Sequence, residues 1–445
     1  MKKVAVLSFI IIFAATLNSC KKDNSSTGDG SVPNVYSDKI VLSNLQAGND
    51  SVILNWSKLN NTKFSRYMII RRNYKSPDPN TYSYDDVIDD ITDMALVRYA
   101  DHPVPATTYL EYQVIGVLQN TAPSYNYSYV YSNVVSYERP ELKQFYFNIK
   151  DVLPDVPNHR CYIIGADSGK ISILDYQSRA ISKQIFTYAT LGFSSLGDFN
   201  GVQELYIPRN DGWLFIYNAN TLDKIDQIKA GSVCNSVVYN NGRLFVAVDS
   251  DYYSYEVRVY DRSSKALITR TGTFNEGPQH IAVAPGSNTK LFGIGSYYLS
   301  SFEYDANGHY VTWTDINYSS SSSYFRCFEP LPNGQGFITS TNGAIYSNSL
   351  TLVQNLPYGN YQYSSFTFNS PFTSIFAGCS NYQNIVEYSY PGYSEKHTYK
   401  CIGYPTAVFI DSTNLVSLSS VYSSSYYDDS GQFYIETVPL SNKKQ

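Results

Sequence analysis

From about residue 145 to the C-terminus, short apolar runs break into polar turns at a steady interval. The clearest copy is Val257-Arg258-Val259-Tyr260-Asp261, and comparable segments are centred on Asp175, Tyr217, Tyr260, Tyr304, Ser347 and Tyr388, 41 to 44 residues apart. An interval of that size holds four short strands and their turns. The pattern therefore predicts one antiparallel unit repeated around an axis. Ahead of the repeat, residues 35–138 show strands separated by turn residues. Val52, Leu54 and Trp56 share one face, 66–72 and 107–117 are apolar runs, and 132–137 closes the stretch. About a hundred residues patterned in this way predict an antiparallel sandwich.

The repeat has the architecture of a β-propeller, with 139–445 as that domain and Arg139-Pro140 as its boundary. The first unit is expected to start at 145–150, and the others follow to a seventh running from Tyr404 through Ile435. The seventh appears one strand short, and residues near Leu142 are placed to supply it. The stretch from Pro278 to Ile294, an apolar strand, a Pro/Gly/Asn turn and a second apolar strand, resembles YVTN-type and WD-type propellers. It contains neither the YVTN tetrapeptide nor the Trp-Asp dipeptide, so the resemblance is to the fold. Trp56, the segment Pro105-Ala106-Thr107-Thr108-Tyr109 and the closing Ser132-Asn133-Val134-Val135 resemble a fibronectin type III domain, which implies Tyr109 as its corner tyrosine and a spacer role. The fold class is thus all-β: a fibronectin type III-like β-sandwich (35–138), then a seven-bladed β-propeller.

The N-terminus is patterned differently. Lys2 and Lys3 precede an apolar stretch from Val4 to Leu17, too short to span a bilayer, which ends at Leu17-Asn18-Ser19-Cys20. That ending resembles the lipobox of bacterial lipoproteins, which implies removal of a signal peptide (1–19), lipidation of Cys20 and membrane attachment. Residues 20–34 are polar and aperiodic, a flexible tether. The charged stretch after Cys20 is similar to the export signal of surface lipoproteins in Bacteroidetes, with more lysine than those signals favour. The location implied is the outer membrane, at the cell surface or the periplasmic face.

Composition narrows the function. The net charge of −5 comes without a basic block, which disfavours nucleic-acid binding. Tyrosine is plentiful, 44 residues against 3 Met and 3 Trp, and suits both half-buried sheets and amphipathic binding surfaces. Within the predicted units, the turns joining second to third strands share one face with the connections between units. Tyr252, Tyr253, Tyr297, Tyr298, Tyr382, Tyr426 and Tyr427 fall there with Ser, Asn and Asp, and Tyr318, Tyr324, Tyr358, Tyr361 and Tyr404 lie in connections. Such a face suits a glycan, whose C–H faces stack on aromatic rings, or a protein partner. A face of solvated loops that binds nothing is the plain alternative.

Chemistry-bearing motifs are sparse. The 5 His have no metal-binding spacing, and neither a nucleophile elbow nor a Walker loop is present. No metal or cofactor is expected. His280 opens a predicted inner strand and is the one catalytic candidate, which with nearby Asp or Glu would make a glycan hydrolase, lyase or lactonase. Asp167, Asp211, Asp249 and Asp251 share the loop face. Cys379 and Cys401 are placed so that an oxidising compartment could pair them, while Cys161, Cys234 and Cys327 read as buried thiols.

Overall fold

The computed structural model describes residues 39–441 apart from 48–50, 77, 79, 83–86, 103, 106, 121–125, 140–141, 147, 167–168, 252–253, 273–276, 296, 318–326, 358–360 and 424–430. The leader, Cys20, the tether, Asp167, Tyr252, Tyr253, Tyr318, Tyr324, Tyr358, Tyr426 and Tyr427 lie outside the described residues.

The N-terminal module consists of two antiparallel sheets sharing one core. A three-stranded sheet holds Gln46–Ala47, Val52–Asn55 and Arg98–Asp101; a five-stranded sheet is built on Phe64–Arg72 and Tyr109–Gln119. Val52 and Leu54 alternate inward from the first and meet Tyr67, Ile69, Tyr112 and Val114 of the second. Trp56 packs edge-on to Tyr67 at 5.4 Å between ring centres, inside this core. Asp101 ties the sheets together, accepting from Arg71 Nη1 at 2.8 Å and from the Tyr112 hydroxyl at 2.6 Å. Tyr109 departs from the corner-tyrosine expectation. Its hydroxyl donates to the Glu111 carboxylate at 2.6 Å and lies 3.1 Å from Ser136 Oγ, so its partners are side chains and not the upstream backbone.

Beyond this module, the described residues form seven four-stranded antiparallel sheets that follow one another along the chain. Their first strands are Ile149–Asp155, Ser195–Phe199, Val233–Asn240, His280–Val283, Phe328–Pro330, Tyr363–Phe368 and Tyr404–Asp411. Second and third strands are buried on both faces, so they read as continuous apolar runs; Leu205, Tyr206 and Ile207 are all inaccessible. Fourth strands are the more open, and Leu352–Asn355 is exposed throughout. The core lies between sheets. Leu214 and Ile216 of the second meet Val237, Leu244 and Val246 of the third, and so on round to the seventh, whose Phe409, Val416 and Leu418 pack on Cys161, Ile163 and Leu174 of the first. The sheets therefore close into a ring.

The seam corrects one expectation. Phe145 does not open the first sheet: Gln144–Tyr146 is the outermost strand of the last one, with Phe145 opposite Phe433, and the first sheet starts at Ile149. The missing strand is thus supplied from just beyond Leu142.

Two devices recur around the ring. At the end of the third strand in the first six sheets a polar side chain caps the turn to the fourth: Asp175 accepts from Gln177 and Ser178, Asn218 from Asn220, Asp261 from Ser264, Asp305 from Asn307, Ser347 from Thr351 and Ser389 from Ser394. Each turn then passes through a left-handed residue, namely Arg179, Leu222, Lys265, Gly308, Leu350 or Tyr393. At the inner edge, first strands bulge at Lys150, Asn235, Ser364 and Thr406. Just past three of these bulges, a side chain accepts a backbone N–H from a later sheet's inner strand or its approach. Asp151 takes Ser194 N at 2.8 Å, Ser236 takes Ile281 N at 3.2 Å and Ser365 takes Val408 N at 3.0 Å.

The pairing of Cys379 with Cys401 does not form, and both are buried free thiols. Cys379 faces Asn384 across one ladder and Asn384 faces Lys400 across the next. Two strand spacings, about 10 Å, thus separate Cys379 from the strand end that Cys401 follows, beyond disulfide reach.

Candidate binding face and channel entrance

In each sheet the second-to-third turn lies at the end where the chain enters the first strand, so turns and connections share one side of the ring. His280 stands opposite Ile294, and the turn after Ile294 carries Tyr297 and Tyr298. Tyr297 is 48% exposed; Tyr298 is half-buried, and its hydroxyl accepts from Asn317 Nδ2 at 3.3 Å. Two sheets on, exposed Tyr382 meets Tyr361 edge-on, with 5.4 Å between centres. Among the described residues no ring contact joins Tyr297 and Tyr298 to Tyr382; they stand on the fourth and sixth sheets. Tyr422, in the last sheet's turn, receives a hydrogen bond from Asn73 Nδ2 of the N-terminal module at 2.7 Å.

Sequence reasoning missed the most exposed aromatic on this side. Tyr188, 90% exposed, lies in the connection from the first to the second sheet and stacks on exposed Phe186 with 6.5 Å between centres. Its signal was present: an aromatic residue in a connection, two positions past Phe186 at the end of an exposed outer strand, with no strand face to bury it. Of the acidic candidates, Asp211 is occupied by Arg209, through contacts of 3.0 and 2.5 Å that hold its carboxyl below the usual range. Asp249 and Asp251 belong to a strand, Arg243–Asp251, rather than a free loop.

The inner ends of the same connections gather a second group that the sequence showed only in part. His280 lies flat on Phe193, centres 3.9 Å apart at 6°, and edge-on to Phe328 at 4.9 Å. Lys150 Nζ also sits over the Phe193 ring, 4.1 Å from its centre. Enclosure by protein, and secondarily the Lys150 charge, push His280 down to about 3, so its ring is neutral at physiological pH; Nδ1 is buried without a partner among the described residues. Burial likewise lowers Lys150. Asp151 is pushed up to about 6 by burial, against the pull of the Ser194 and Val152 N–H groups and Lys150. Glu329 is exposed at its tip, although enough protein stands around its carboxyl to strip part of its hydration. That desolvation, with the Asp151 charge beside it, raises its carboxyl to about 8. The entrance to the ring's centre thus offers a cation, a neutral imidazole and a carboxyl that is largely protonated near neutrality. Lys150 and Asp151 could have been suspected, since they charge inner-strand positions that later units fill with Asn235, Ser364 and Thr406 and with Ser236, Ser365 and Ala407.

No protein-family model matches this chain, and neither does any curated protein. Solved structures do match. The β-propeller domain of Cps50 (Swd1) from Myceliophteria thermophila aligns at 10% identity over 66% of this chain and 97% of its own, with a TM-score of 0.49. Hydrazine synthase from Kuenenia stuttgartiensis aligns at 12% identity over 66% and 96%, also at 0.49. U3-55K aligns at 8% identity over 67% of this chain and 98% of its own, at 0.51. At such identities a likeness concerns the fold alone; that to U3-55K, with the closed succession of four-stranded sheets, assigns the fold: the greater part of this chain is a β-propeller.

Proposed function

We propose that this chain is an exported, lipid-anchored binding protein of a bacterial envelope that recognises a glycan through the loop face of its propeller. In this reading 1–19 is a cleaved leader, Cys20 the lipidated residue, 20–34 a tether, 35–138 a fibronectin type III-like spacer and 139–445 a seven-bladed propeller. The observation that carries it is the set of exposed rings on one side: Phe186, Tyr188, Tyr297 and Tyr382 are each more than two-fifths open to water. Burial in the sheets does not account for them. Rings held at the rim of a rigid scaffold suit the C–H faces of sugars, and the Asn, Ser and Asp around them suit hydroxyls.

The test is a glycan array probed with the soluble fragment 23–445, alongside its Tyr297→Ala/Tyr298→Ala variant. Signal for the parent that is lost in the variant supports the reading. Absence of signal for both refutes a glycan ligand and turns the search to envelope proteins captured on the same fragment. A second reading, turnover of a bound glycan, draws on the shifted Asp151, His280 and Glu329. Release of product from an array hit would establish it, and intact glycan after prolonged incubation would dismiss it.

A further inference from the structure

We propose that the strand Tyr127–Tyr131, at the edge of the N-terminal module, is a dimerisation edge that pairs antiparallel with the same strand of a second copy of this chain. It borders the five-stranded sheet on one side, next to Tyr109–Gln119. A sheet edge presents unpaired N–H and C=O groups, and is ordinarily blunted by charge, bulges or short length. The other outer edges among the described residues are so treated. The outer strands of the first six four-stranded sheets each break register with the third strand, and that of the seventh is three residues long. The opposite edge of the five-stranded sheet, Val87–Ile91, also breaks register and carries Asp89 and Asp90. In the facing sheet one edge is two residues long and the other, Arg98–Asp101, is charged at both ends. Tyr127–Tyr131 has none of these devices. Its five residues keep unbroken register with Ile115 to Gln119, and the sequence holds no Asp, Glu, Lys or Arg between Glu111 and Glu138.

The strand is its own complement. Asn120 N donates to Asn126 O at 2.9 Å and Ser132 N to Val114 O at 2.9 Å. By alternation Ser128 and Val130 turn their backbone groups into the sheet, and Tyr127, Tyr129 and Tyr131 turn theirs to the open edge. About a two-fold axis at Tyr129, this residue meets its own copy, and Tyr127 of each chain meets Tyr131 of the other. Every outward N–H then finds an outward C=O, as a symmetric pair requires. The side chains agree with the backbone. Val130 packs on the module's core, whereas Tyr127 and Tyr129, on the other face, are 41% and 38% exposed, and Tyr129 lies 6.4 Å from Tyr131. Arg66, over the Tyr127 ring at 5.6 Å, is already paired with Asp90 at 2.9 Å, so the stripe meets its copy without like-charge repulsion. A foreign strand could use the same backbone groups, but a copy also brings a tyrosine to each of the three opposed positions, and cross-strand aromatic pairs are favourable.

The test is oxidative cross-linking of the full chain carrying one added cysteine per variant, with the parent chain as the blank for its native thiols. Tyr129→Cys, on the axis, sets the two α-carbons about 5.5 Å apart, within disulfide reach. Tyr127→Cys and Tyr131→Cys each set theirs four residues apart along the strands, about 14 Å and out of reach. Expected is a two-chain product from Tyr129→Cys, at least about fivefold less from either of the others alone, and its return when those two variants are mixed. Tyr129→Lys, built into both members of that mixture, opposes two ammonium groups and should cut the product at least about fivefold, whereas Tyr129→Phe should leave it unchanged. No product from Tyr129→Cys overturns the inference, including the case in which this edge takes up a foreign strand. Equal product from all three single variants, or a mixture product that survives Tyr129→Lys, overturns it as well.

Discussion

Arg262 follows the third strand of the third sheet, Ser254–Asp261, and reaches across to the second. Its Nε and Nη2 donate to both oxygens of Glu204 at 2.7 and 2.8 Å, Nη1 donates to Asp226 at 3.2 Å, and the guanidinium lies over Phe199 at 4.7 Å. Glu204 and Arg262 are 2% and 5% exposed, so neither charge has water to fall back on. Arg262→Met keeps most of the apolar volume and strips the cation, leaving Glu204 with the Tyr206 hydroxyl at 2.7 Å as its remaining side-chain partner. Breaking a buried pair by removing one member costs about 3–5 kcal/mol. The retained phenol places the expected loss near the lower end, about 3 kcal/mol. With a urea slope of about 3 kcal/mol per M, the midpoint should fall by about 1 M. Glu204→Gln/Arg262→Met should recover more than half of that loss, because the stranded charge is gone. Urea titrations of wild type and both variants at pH 7 measure this. A single variant within about 1 kcal/mol of wild type, or a double variant no better than the single, would refute the reasoning.

Glu436 supplies a pH dependence of definite sign. Burial pushes its carboxyl up from 4.5 to about 7, although Ser419 Oγ at 2.7 Å and Ile402 N at 2.9 Å donate to it. The unfolded chain ionises first, so the stability from the neutral folded form is full below about pH 4.5 and is lost as pH rises to about 7, by about 3 kcal/mol. Glu436→Gln should flatten that part of the pH–stability curve, and an unchanged slope would rule it out. Gly403 leaves no room for a side chain: an added Cβ would fall on the Tyr434 hydroxyl and within 2.6 Å of the Ser420 carbonyl oxygen. Gly403→Ala should lower stability by about 1–3 kcal/mol, and a thermal midpoint equal to wild type would show that the backbone yields there.

The repeat was legible because one physical requirement recurs in the first six units. The turn after each third strand needs a side-chain acceptor, and Asp175, Asn218, Asp261, Asp305, Ser347 and Ser389 supply it beside an apolar strand. The left-handed residue that follows was not legible, since Arg179, Leu222 and Lys265 carry no preference for that conformation. Phe145 was misplaced because adjacency in sequence to Ile149 hides a pairing with Phe433 at the far end of the chain. The channel entrance was only half visible for the same reason. His280 could be singled out from its unit, but Lys150, Phe193 and Phe328 become its neighbours only when sheets far apart in sequence share one centre.

The route by which force would pass through the molecule follows from the seam. The last strand of the N-terminal module ends at Glu138 and the strand that closes the ring starts at Gln144, with five residues between them. Any pull on the N-terminal side of the chain therefore arrives at the ring through Gln144–Tyr146, a three-residue strand on an outer edge. The segment that joins the two modules is also the latch that keeps the circle shut, and the Phe145 side chain, packed against the cluster that holds Cys161, Phe409 and Ile435, is the bolt in that latch.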